Sequence, residues 1–227
     1  MRLSAACALL APALLAPAFS GRAFHATLGF APAAAAAKAP APFRILPGPY
    51  DKDGPSGPGA PVASRFTLRG VTVAVELLLG ESRAAFIKSL DPKATDPFAP
   101  PPGRPELYRT FLLAFENNAP VEVTFQPGNV VLVTDRDEQQ FPIDTSALYL
   151  AEARRGVTDP QPVLDRVAPL IFESSTTIPS GGHLERLLVF GPLPEKWKEF
   201  RLHFSYLQIG PETHTVSFTF HKQPLKG

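Results

Sequence analysis

The sequence predicts a mainly-β fold: an immunoglobulin-like antiparallel β-sandwich with a short helical insertion. Three observations carry that prediction. Between 64 and 221, apolar and polar residues alternate at period two in several short runs. Asn, Pro and Gly punctuate these runs at the spacing of a sandwich. Seventeen Phe and an apolar content of 44% supply a core without external staples.

The elements follow in chain order. Residues 1–18 read as a secretory signal peptide. Met1-Arg2 gives a positive start, 3–15 is an Ala/Leu run too short to span a bilayer comfortably, and Ala16-Pro17-Ala18 offers small residues to a signal peptidase. Ala18 is the first choice of cleavage point, with Ser20 and Ala26 also permissible, so the leader ends between 18 and 26. Cys7, the one cysteine, lies inside this leader, and its apolar stretch follows rather than precedes it, unlike a lipid-acceptor cysteine. The mature chain therefore has no thiol, and packing must hold it together. An uncleaved leader would act as a signal anchor, the one membrane attachment the sequence offers.

Residues 19–63 are rich in Pro, Ala and Gly with few large apolar side chains, the composition of a disordered linker. The folded domain is expected over 64–222, with 223–227 as a tail. Residues 66–77 alternate as one long strand, with Gly70 shifting the phase like a bulge. A short helix over 82–90 would turn Phe86 and Leu90 inward, and the proline-rich stretch 92–105 cannot pair into a sheet. Strands follow at 107–116, 121–125 and 130–134. They are separated by turns at Asn117-Asn118-Ala119-Pro120 and Pro127-Gly128, and a charged tip at 135–139 comes next. Asp144 is a helix N-cap, with Leu148 and Ala151 on one face and Arg154-Arg155-Gly156 as the stop. Asp159-Pro160 starts a second short helix. Strand character resumes at 171–172, 184–190, 200–208 and 213–221. The last two form a hairpin around Gly210-Pro211, with Leu202, Phe204, Tyr206, Val216, Phe218 and Phe220 facing in.

Several of these elements together resemble the bacterial secreted or lipoprotein immunoglobulin-like domains known as DUF4352, or telokin-like. The strand and Asn turn from Phe115 to Val123 is one. The strand with an acidic tip from Val130 to Asp135 is another. The third is the late strand entered through Ile178-Pro179-Ser180-Gly181-Gly182, ending at Phe190. The likeness spans 64–222. It implies a non-catalytic envelope module that binds or scaffolds, and it brings no catalytic residue to transfer. The helical insertion at 144–167 and the proline loop depart from a minimal sandwich.

The chemistry-bearing residues are few. Ser180 and His183 share one loop, but two residues so close in sequence rarely meet with catalytic geometry, and no Gly-x-Ser-x-Gly elbow is present. Asp165, Glu173 and Glu185 have no spacing that fixes two carboxylates at glycosidase separation. His203 and His221 point to the same outer side of the terminal hairpin and are the weak metal candidates, two ligands where zinc takes three or four. Asp135 and Asp137 gather carboxylates at a hairpin tip, but Arg136 between them works against calcium. Trp197, between Lys196 and Lys198, is a possible partner contact, or else closes one end of the sandwich.

Net charge is +1, and cleavage beyond Arg22 removes two of 22 basic residues and none of 21 acidic ones, turning it to −1. A near-neutral, mixed surface argues against nucleic acid and against a polybasic membrane anchor. The expectation is a non-enzymatic exported module, periplasmic or extracellular, without cofactor or metal, acting on an unknown envelope protein. An exported hydrolase or carbohydrate-active domain, or a small-ligand or metal carrier, stays open.

Overall fold

Arg69 and Gly70 both take positive φ, 52° and 85°, the backbone of a two-residue type I′ turn. That turn splits the expected single strand into a hairpin, β2 (Ala63–Leu68) and β3 (Val71–Leu78), closed by the pair Leu68↔Val71. The phase shift at Gly70 was a reversal of the chain, not a bulge. The computed structural model describes residues 43–48, 63–100, 103–154, 156–194 and 196–224. The expected signal peptide and the stretches 19–42 and 49–62 of the expected linker lie outside them.

The domain starts earlier than the sequence reading placed it. Phe43–Pro47, inside the predicted linker, is a strand (β1) paired antiparallel with β11 (Glu212–Pro224) from Phe43↔Pro224 to Pro47↔Phe220. Two apolar side chains were enough. Phe43 and Ile45 pack on the core, and Phe43 meets Trp197 edge-on at 6.0 Å. Composition averaged over the stretch hid this local alternation.

Among the described residues the strands form two antiparallel sheets, a β-sandwich. The four-stranded sheet runs β2-β3-β4-β9, with β4 Arg109–Asn117 and β9 His183–Phe190. The seven-stranded sheet is centred on β10 (Glu199–Ile209), which pairs with β11 on one side. On its other side lie, end to end, β5 (Val123–Phe125) and β6 (Val130–Thr134), separated by a 3₁₀ turn at Pro127–Asn129. β7 (Gln139–Gln140) and β8 (Thr176–Ile178) flank these two. β10 and β11 meet at a two-residue turn between Ile209 and Glu212, with Gly210 at φ 55° as a type II′ turn requires.

Period-two alternation sends Val71, Val73 and Val75, Phe111, Leu113 and Phe115, and Val216, Phe218 and Phe220 between the sheets. Aromatic rings interlock there. Phe111 lies 5.7 Å from both Phe190 and Phe200, and Phe200 stacks on Phe220 at 5.1 Å. Each such pair adds about 0.5–1.5 kcal/mol beyond area burial. One expected core residue is elsewhere: Tyr206 is 62% exposed. A register shift between Phe204 and Leu207 flips the alternation, so Leu207 and Ile209 go in and Tyr206 goes out.

A third layer covers the outer face of the four-stranded sheet. It comprises α1 (Glu81–Leu90), α2 (Thr145–Arg154), α3 (Gln161–Val167) and a 3₁₀ turn at Ala168–Leu170. Leu78, Leu187 and Val189 of the sheet pack against Phe98, Tyr108, Leu148, Leu164 and Val167. This explains why Leu187, Leu188, Val189 and Phe190 are all buried: alternate residues face the sandwich and the cap. Asp144 caps α2 as expected, accepting from Ala147 N at 2.7 Å. Residues 171–172 form one isolated bridge, Ile171↔Leu187, rather than a strand.

Candidate functional site

The sequence-predicted residues do not converge. His203 and His221 both sit on the outer face of the seven-stranded sheet, but His203 is in register with Ser217, four residues along β11 from His221. That separation is about 13 Å, too far to share an ion. His203 Nδ1 hydrogen-bonds Ser217 Oγ at 2.8 Å, and His221 Nδ1 lies 3.3 Å from Glu199 Oε2. Asp135 and Asp137 are exposed at the β6–β7 tip. There Asp135 Oδ1 accepts from Lys198 N at 3.1 Å, and Asp137 occupies the left-handed position at φ 60°. Among the described residues no three His, Cys, Asp or Glu side chains are placed to hold a metal.

Trp197 is a correction to the idea of an exposed anchor: it is 6% exposed, wedged between Phe43 and Phe200, with Lys222 Nζ 5.1 Å from its ring centroid. It is part of the core. Ser180 and His183 are also separately engaged. Ser180 Oγ donates to Ala119 O at 2.6 Å, and His183 Nε2 lies 3.2 Å from Glu185. Their loop is built around buried Asn117. Its Nδ2 donates to Val121, Ile178 and Pro179 carbonyls at 2.8–3.0 Å, and its Oδ1 accepts from Ala119 N at 3.1 Å. Asn117 thus serves as a hydrogen-bond hub.

What the structure does assemble lies in the helical cap. On α1, Arg83 and Ile87 are buried and Phe86 is partly buried against the cap cluster, as expected, whereas Leu90, expected inward, is 57% exposed. Arg83 is fully buried. It donates from Nε to Asp96 Oδ2 at 2.8 Å and from its terminal nitrogens to Glu106 at 3.3–3.4 Å, with its guanidinium 5.8 Å from the Phe98 ring centroid. Asp96 also accepts from Phe98 N at 2.9 Å, and Glu106 Oε1 from Gly80 N at 3.2 Å. One guanidinium therefore fastens both ends of the proline-rich loop to α1. Sequence reasoning missed it because an Arg on a short helix is usually a solvated residue, and no spacing rule links it to carboxylates 13 and 23 residues away.

The neighbouring charges feel the same burial. Desolvation lowers the pKa of Arg109, with Arg83 reinforcing that shift and Glu106 opposing it. On the outer face of the four-stranded sheet, burial and then Glu185 raise the pKa of Glu76.

Two clefts open on the cap, on either side of α3. The first, about 490 Å³, lies between α2 and α3 and is lined by Thr145, Tyr149, Leu150, Gln161, Leu164 and Asp165. Tyr149 is 42% and Leu150 55% exposed beside it. Gln161 Nε2 donates to Asp165 Oδ1 at 2.8 Å along its wall. The second, about 570 Å³, lies between α1, the following loop and the end of α3. No described helix is long and apolar enough to cross a membrane.

No protein-family model matches the chain, and no curated protein matches it either. Among solved structures, the crystal structure of the yjhA protein from Bacillus subtilis is similar over 63% of this chain and 77% of that chain. The identity is 11% and the TM-score 0.36, a likeness that assigns no function.

Proposed function

We propose that this chain is a non-catalytic, exported β-sandwich module that works through protein contacts in the bacterial cell envelope. The immunoglobulin-like and DUF4352-like assignment belongs to the same proposal. The observation that carries it is the disposition of apolar surface. The space between the sheets is filled by interlocking aromatic rings, whereas α2 turns Tyr149 and Leu150 to solvent beside a shallow cleft. Large exposed apolar side chains next to a groove are what a partner segment buries. The cap that presents them is fixed to the sheet through Leu148 and Leu164, so the surface is preformed.

In-cell crosslinking tests this reading. A photoreactive residue at position 150 should give a discrete adduct with an envelope protein, and one at position 206, exposed on β10, should not. Tyr149→Asp should abolish the adduct while leaving the urea midpoint unchanged, since the side chain is on the surface. Adducts of equal yield at both positions, or none at 150, would count against the contact face. Recovery of the chain in the cytoplasm with Met1 intact would count against export.

A further inference from the structure

The second cleft has a different chemistry from the first. Its floor is apolar, made by Ile87 and Leu90 of α1 and by Pro169 and Leu170 after α3. Its two walls each carry one cation, Lys93 from the loop and Arg166 from α3. Neither cation makes an ion pair with any described residue. The one carboxylate on the rim, Asp91, is committed to its own turn: its Oδ1 accepts from Lys93 N at 2.9 Å. The rim therefore carries a net positive charge above an apolar floor, and a bound anion would meet two donors without displacing an existing salt bridge.

The geometry is also held in advance. The loop that carries Lys93 is clamped at Asp96 by buried Arg83, and Arg83 lies one turn before Ile87 on α1. The α1 side of the floor and the wall that carries Lys93 are thus tied together, which lowers the ordering cost of binding. A volume of about 570 Å³ lies within the size range of small-ligand sites.

We propose that this cleft binds a free amphipathic monocarboxylate of medium chain length. Its tail lies on Ile87, Leu90 and Leu170, and its carboxylate is held between Lys93 and Arg166. The site is separate from the α2 contact face and stands or falls independently of it.

Titration calorimetry on the full chain, with octanoate and octanamide below their aggregation limits, tests the assignment. Octanoate should bind one per chain with a Kd of about 1 mM or tighter, and octanamide at least tenfold more weakly. The double variant Lys93→Gln/Arg166→Gln should lose about tenfold or more in octanoate affinity and leave octanamide unchanged. Both side chains are exposed, so the variant keeps the fold, which a urea melt verifies. Amide shifts on octanoate addition should cluster at Ile87, Leu90 and Leu170 and spare Tyr149 and Leu150. No saturable octanoate binding, equal affinity for the amide, or an undiminished double variant would overturn the proposal. So would binding to phosphatidylglycerol vesicles without binding to octanoate, which would make the cationic rim a lipid-surface contact.

Discussion

Replacing Arg83 with Met tests whether the cap is held by charge as well as by packing. The Arg83 side chain is 0% exposed, Asp96 7% and Glu106 22%. Met conserves much of the aliphatic volume, so the change isolates the guanidinium. It leaves the Asp96 carboxylate buried with Phe98 N as its remaining donor, and it leaves Glu106 with Gly80 N and water. Removing one partner of a buried pair costs about 3–5 kcal/mol; partial hydration of Glu106 puts this case at the lower end, about 3 kcal/mol. With a urea m-value of about 2 kcal/mol/M, the unfolding midpoint should fall by about 1.5 M. A second replacement, Asp96→Asn, should recover part of the loss when added to Arg83→Met, because no stranded buried charge then remains at that position. Urea melts followed by Trp197 fluorescence report both changes, since that ring lies in the sandwich core. A loss below about 1 kcal/mol for Arg83→Met, or a double variant no more stable than the single, would refute the reasoning.

Three further outcomes follow from the core and the sheet faces. The raised pKa of Glu76 means that the folded state holds its proton more tightly than the unfolded chain. Its contribution to stability is therefore present at low pH and is lost as pH rises from about 4.5 through the folded value. Glu76→Gln should raise the urea midpoint at pH 7, with the difference vanishing at pH 3.5. Asn117→Ala removes a donor shared by three carbonyls, of which Pro179 O keeps Gly182 N, and strands the Ala119 amide at a buried turn, and it should cost about 3 kcal/mol by urea melt. Asn117→Asp, which aims a carboxylate at the same carbonyls, should be no better. Trp197→Ala should cost about 3–5 kcal/mol, and Tyr206→Thr should stay within about 0.5 kcal/mol, as thermal melts of the two would show.

The sandwich was legible because its signals are local. Alternation placed Val216, Phe218 and Phe220 correctly, and Gly210-Pro211 marked a turn that two residues can close. The errors arose where two local readings share one pattern. A bulge and a two-residue turn both shift the phase of an apolar run by Gly70, and only the pairing Leu68↔Val71 separates them. A bulge in β10 left no trace at all, so Tyr206 was placed on the wrong face. β1 was lost for the opposite reason: five residues of strand vanish in the average of a Pro- and Gly-rich stretch. The cap's clefts were illegible on any local rule. They depend on which side of α1 is buried, and that is decided by a guanidinium reaching carboxylates beyond a proline loop.

The helices themselves explain why the candidate sites lie where they do. At 10, 10 and 7 residues they fall below the length at which an isolated helix persists in water, roughly 12–15 residues. They are ordered because the four-stranded sheet offers a second apolar face at Leu78, Leu187 and Val189. Local opening of the cap should therefore cost less than unfolding the sandwich, and its amides should exchange with solvent before those of β3, β4 and β10. A ligand that bridges α1 and α3 joins two of the elements that open most readily. Its binding energy then appears as slower exchange in both helices, and the sandwich strands, already limited by global unfolding, slow by the overall gain in stability. Octanoate should therefore slow exchange in Glu81–Leu90 and Gln161–Val167 by about the same factor as in the sandwich strands, whereas nonspecific binding to the exposed face of either sheet would leave the local opening of these two helices unchanged.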